Sequence, residues 1–174
     1  ESGLVLEEAS ERLRSDKDVV KQAISTHAAA LQDASPDLQL DKDLVMHQMI
    51  SVLDPDNNGH QYFYEWFSIE GWDINLRSDQ TLVIQALKIF NEMPYDDFFA
   101  EEAKSLILNF PHPSQEFFFA IININGYWIK YLDDEFKADK KIVLAAVQNS
   151  VNAFQFASDE LQKDSDIIEA ANKL

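Results

Sequence analysis

Four side chains between Asp54 and Glu65 carry oxygens that could hold one metal ion together: the carboxylates of Asp54, Asp56 and Glu65 and the amide of Asn58. They stand in the string DPDNNGHQYFYE, with the first three oxygens at alternate residues and Gly59 directly after them. Alternate spacing brings oxygens to one side of a tight turn, and a glycine lets the chain fold back around a single ion. A set made of oxygens alone suits a hard cation that takes six to eight of them, so the chemistry indicated is calcium binding. The opening Asp-Pro-Asp-Asn-Asn-Gly is also a very good turn with no metal at all.

Little else in the chain has the residues for chemistry. Cysteine is absent, which excludes disulfides and thiolate metal sites, and there is neither a glycine-rich phosphate loop nor a nucleophile elbow. The four histidines fall at no metal-ligand spacing; His27 beside alanines and His112 between Pro111 and Pro113 read as structural or surface residues. Acidic pairs occur throughout, so none stands out as acid and base. The chain is read as non-enzymatic.

The elements that must position the oxygen-rich stretch follow from a repeat. Asp139 opens DKKIVLAAVQNSVNAFQFASDELQK and Asp164, 25 residues on, opens DSDIIEAANKL. Ser114 opens a copy 25 residues earlier, Asp16 and Asp41 open two more at the same spacing, and Asp79 opens another. The third and fourth residues after each opener are apolar: Val19/Val20, Leu44/Val45, Leu82/Val83, Phe117/Phe118, Ile142/Val143 and Ile167/Ile168. Mates one turn on, such as Ala23/Ile24 and Ala146/Val147, complete a helix with one buried face and Asp or Ser as its N-cap. A second short helix is expected from apolar residues ten, seven and three positions before the next opener, such as Ile129, Leu132 and Phe136. The expected fold is all-α: stacked antiparallel helix pairs, each unable to bury its apolar face alone. From Asp41 to Asp79 the spacing is 38 residues, so 13 extra residues fall where a unit should merely turn, and the oxygen-rich stretch lies there.

This gives one domain over 1–174, with N-terminal repeats over 4–53, an irregular middle over 54–113 and regular repeats over 114–174. Pro111 and Pro113 mark the break before the last of these. The aromatic run Phe117, Phe118 and Phe119, with Ile121, Ile122, Tyr127 and Trp128, is read as core at the joints between units.

The strings DKKIVLAAVQNSVNAFQFASDELQKDSDIIEAAN and INGYWIKYLDDEFKADKKIVLAA resemble the short repeats of domain of unknown function 4116. That resemblance implies the repeat fold and brings no activity, catalytic residue or cofactor with it. The inserted stretch resembles the calcium loop of an EF-hand, matching D-x-[DN]-x-[DN]-G-x5-E at every constrained position. The resemblance implies side-chain ligands from Asp54, Asp56 and Asn58, a backbone carbonyl from His60 and two carboxylate oxygens from Glu65. It departs from the pattern at Gln61, where an aliphatic residue usually pairs with a partner loop, and at Tyr62, which would leave a water in its place. A mate is sought in IFNEMPYDDFFAEEAKSLIL, with Phe98 at the pairing position and Glu102 at the last. Met93 and Tyr95 at its oxygen positions make it an empty one. Met46, Met49, Ile50 and Leu53 would share one face of the entering helix, and the expected affinity is roughly 10⁻⁶ to 10⁻³ M.

With 31 acidic against 14 basic residues the net charge is −17, which repels nucleic acid and anionic membranes and favours cations or basic partners. Hydrophobic residues make up 46%, enough for a genuine core. No apolar run reaches the roughly 18–20 residues of a membrane span, so a soluble chain without membrane insertion is expected. It opens at Glu1 without Met, read as a processed or trimmed chain; the compartment stays open, an organelle among the readings. The expected function is a protein-binding scaffold with one calcium site that braces or switches it. Its partner would be basic or present an apolar helix, and the aromatic residues Tyr62, Phe63, Trp66, Phe67 and Trp72 would form the surface that receives it. The alternative is a small acidic structural subunit of a larger complex, whose calcium would be purely structural.

Overall fold

The computed structural model describes residues 6–52, 72–92 and 97–173. Among them every regular element is helical, so the fold is all-α. Of the seven longer helices among the described residues, six follow the openers, α1 (Lys17–Thr26), α2 (Lys42–Val52), α3 (Gln80–Glu92), α5 (Gln115–Ile124), α6 (Lys140–Asn149) and α7 (Ser165–Asn172), and α4 (Asp97–Leu108) lies between them. The chain divides into two compact units, Glu1–Ile89 and Phe90–Leu174.

Each opener does what its residue type allows. Asp16, Asp41, Asp79, Asp139 and Asp164 accept from the backbone N–H groups two and three residues on, and Ser114 accepts from Phe117. These bonds satisfy donors that the first helical turn leaves without partners. The apolar pairs behind them build the core: Leu44, Val45, Leu82, Val83, Phe117, Phe118, Ile142 and Val143 are buried, as are Val20 and Ile167. Val19 is only half-buried, and Ile168 is 39% exposed.

The second half of a unit differs from the single short helix expected. After α1, α5 and α6 the chain turns extended at His27, Asn125 and Ser150, with φ near −150°. Six-residue 3₁₀ helices follow at Ala28–Asp33, Gly126–Tyr131 and Val151–Phe156. Another extended residue ends each, and four-residue helical turns, Pro36–Gln39 and Asp134–Lys137, lead into the next openers at Asp41 and Asp139. The tighter 3₁₀ winding suits a short connector and a poor long helix, so the return path is broken in two. Its apolar residues still face inward: Leu31, Ala34, Ile129, Leu132, Ala157 and Leu161 are buried.

In the unit from Phe90 onward the core is strongly aromatic. The rings of Phe110 and Phe117 stack with centroids 4.1 Å apart, and Phe118 lies edge-on to Phe117 and 4.1 Å from Phe136. Trp128, Ile121 and Ile122 are buried, whereas Phe119 and Tyr127 keep partial exposure. The aromatic run is thus mainly core. His112 is exposed between its prolines with φ at +50°, a left-handed conformation uncommon for a residue with a side chain. Among the described residues no helix is long and apolar enough to cross a membrane.

Candidate functional site

The five residues of the expected calcium site, Asp54, Asp56, Asn58, His60 and Glu65, lie outside the described residues. So do Tyr62, Phe63, Trp66 and Phe67 of the expected partner surface. What the structure does give is the frame on either side. Helix α2 before the stretch is capped by Asp41, and after it Asp73 caps the turn Ile74–Arg77. The Asp73 carboxylate accepts from the N–H groups of Asn75 and Leu76. These bonds, the one from Leu76 first, hold its carboxyl below the usual range. Trp72 is half-buried and its carbonyl accepts from Arg77 Nε at 2.8 Å.

A lysine stitch joins consecutive units, and it spans the insertion. Lys17, directly after the opener of its unit, reaches the next opener Asp41 at 2.8 Å and Asp43 at 3.0 Å. Lys140 does the same to Asp164 at 2.8 Å and Asp166 at 2.7 Å. Lys42 occupies the equivalent place, and its Nζ lies 2.8 Å from Asp79 Oδ2 despite the longer intervening chain. Asp41, Asp79 and Asp164 therefore work twice, capping a helix with one oxygen and accepting the preceding unit's ammonium with the other. Lys42 holds the Asp79 carboxyl below the usual range, against a smaller effect of burial, and Lys140 does so for Asp164. Partial burial pushes Asp41 up, but the Lys17 ammonium and the Leu44 and Asp43 N–H groups outweigh it and leave it lowered. The sequence reading gave these lysines no role, although their place one residue after the opener was visible once the period was known.

One expectation near the site changes and another holds. Helix α2 puts Met46, Met49 and Ile50 on one face, unevenly covered: Met49 is fully buried, Met46 half-buried and Ile50 53% exposed, while Leu53 lies outside the described residues. The mate loop fails because α4 begins at Asp97 and takes in both Phe98 and Glu102, so the position that would pair as a strand with Gln61 is helical. Trp72 is the one member of the aromatic surface among the described residues.

Among the described residues a hydroxyl–imidazole contact runs from Ser25 Oγ to His47 Nε2 at 2.8 Å. It bridges α1 and α2. Ser25 Oγ also lies 3.1 Å from the Lys21 carbonyl, so its one proton has two acceptors in reach, one on each helix. The contact ties one helix to the next. Among the described residues no three His, Asp or Glu side chains gather as a metal-binding group.

No curated protein and no solved structure matches the chain. The family model described as Domain of unknown function (DUF4116) matches residues 1–39 and 114–162. Both segments carry the opener, long helix and 3₁₀ return found above, and the chain belongs to that family.

Proposed function

We propose that the chain is a non-enzymatic protein-binding scaffold that holds a single calcium ion in Asp54–Glu65. The observation that carries this reading is the Lys42–Asp79 contact: the stitch between units is made at 2.8 Å with 13 residues more than the period needs. A long insertion costs little when its ends are already held together. The openers on either side, Asp41 and Asp79, are taken up as caps and lysine partners, and the repeat register asks nothing of Asp54, Asp56, Asn58 or Glu65. An oxygen-rich string in such a position is available for an ion.

The partner expected is basic or offers an apolar helix, because a net charge of −17 favours such a surface in encounter. Calcium then braces the insertion or switches its affinity. Ile74 and Leu108, 66% and 55% exposed, equally suit a small structural subunit docked in a larger complex, whose ion would be fixed. Calorimetric titration of calcium into the chelated protein, beside the Asp54→Ala, Glu65→Ala double variant, tests the site. One-site binding that vanishes in the variant supports it, and absence of heat in both reduces the stretch to a turn. Partner affinity that is equal in calcium and in chelator would remove the switch and leave the scaffold.

A further inference from the structure

We infer that Asn125–Gly126 is a spontaneous deamidation site that the fold holds shut through Asn149. The pair arises from two separate demands of the repeat. Gly126 is buried, and a Cβ there would run into the carbonyl of Ala146 on α6, so the close approach of that helix requires glycine. Asn125 leaves α5 in an extended conformation, and its side chain caps the next 3₁₀ helix by accepting from the Tyr127 N–H at 3.0 Å. Close packing and capping together place an asparagine amide before the least hindered of backbone nitrogens. At the equivalent places His27–Ala28 and Ser150–Val151 have no amide to react.

The reaction is intramolecular. The Gly126 backbone nitrogen loses its proton and attacks Cγ of Asn125; the bond from Cγ to the side-chain nitrogen breaks, and ammonia leaves. Water then opens the cyclic imide at either carbonyl, giving aspartate or isoaspartate at 125, so that amide and water become carboxylate and ammonia. In the folded chain both reacting groups are engaged. The Gly126 N–H donates to Asn149 Oδ1 at 2.6 Å, and Asn149 Nδ2 is itself fixed on the Asn123 carbonyl at 2.9 Å. The Asn125 amide donates to Asn91 Oδ1 at 2.8 Å while accepting from Tyr127. Cyclisation needs all of these released, so its rate follows the population of a locally opened joint. Either product loses the donor to Asn91. Isoaspartate also lengthens the main chain beside the Gly126–Ala146 approach and would pry α6 from its seat.

The test ages the full chain in warm, mildly alkaline buffer, with and without urea, and follows the amide-to-acid mass gain and isoaspartate in the peptide containing Asn125. Asn58–Gly59, a second pair of the same type, is followed separately in the same digests. The unsubstituted chain should convert at Asn125 far more slowly when folded than in urea. Asn149→Ala should speed the folded reaction roughly tenfold, the effect of losing one hydrogen bond, and leave the urea rate unchanged. Hydrogen exchange at the Gly126 amide, followed in the same variant, should quicken by the same factor as the conversion while the amides of α1 keep their protection, which separates the clamp from general loss of fold. Conversion as fast when folded as in urea, or conversion in Asn149→Ala that quickens with no change in Gly126 amide exchange, would overturn the inference. So would a folded Asn149→Ala variant that matches the unsubstituted chain.

Discussion

The joint from Asp139 to Asp164 and the joint from Asp41 to Asp79 are closed by the same contact, a lysine one residue after the opener reaching the next opener at 2.8 Å. In the first, the intervening chain is closely packed: Val143, Ala146 and Val147 are buried, and the Ala146 carbonyl leaves no room for a methyl group at Gly126 of the preceding unit. In the second, the contact is reached with 13 residues beyond the period. Stitching therefore depends on the openers and not on a fixed length of chain between them. Where packing does not fix the length, the sequence is free to serve something other than the repeat.

The largest expected effect breaks the packed side of this comparison. Gly126→Ala sets a methyl group against the Ala146 carbonyl and should cost about 1–3 kcal/mol in denaturant unfolding, as overpacking does. Asp79→Ala removes a cap and the Lys42 partner, and should cost about 0.5–2 kcal/mol. Asp164→Ala should lower the melting temperature in the same direction; an effect at one joint only would mean that the two stitches differ in kind.

Acid sharpens the point next. Asp79 and Asp164 have folded-state pKa values depressed below their unfolded ones by Lys42 and Lys140. Their contribution is present above the unfolded carboxylate pKa and is lost as pH falls through the folded value. A melting temperature that drops as pH is taken from neutral down through the carboxylate range, less steeply in an Asp79→Asn variant, is the expected result. The smallest effect is that of Lys42→Met. Its ion pair is half exposed and should be worth about 0–1 kcal/mol, an amount that added salt erases.

Much of this was legible in the residues. The openers, the apolar pairs behind them and the period of 25 are local or periodic signals, and each opener caps as its type predicts. The broken return path was not legible, because apolar spacings of three and four suit a short α-helix and a 3₁₀ segment alike; the extended residues at His27, Asn125 and Ser150 decide between them. The need for glycine at 126 was hidden too, since it comes from the backbone of a helix 20 residues later. For the oxygen-rich stretch the residue types alone carry the reading, because ligand spacing is written along the chain while the ion's surroundings are not.

The central claim is that Asp54–Glu65 serves an ion and not the fold, and thermal unfolding of the unsubstituted chain and of the Asp54→Ala, Glu65→Ala variant, each in chelator and in calcium, tests it most directly. The two should melt together in chelator. Only the unsubstituted chain should rise in calcium, by the equivalent of about 2.7 kcal/mol at a hundredfold excess over Kd. A variant already destabilised in chelator, or an unsubstituted chain indifferent to calcium, would contradict the account.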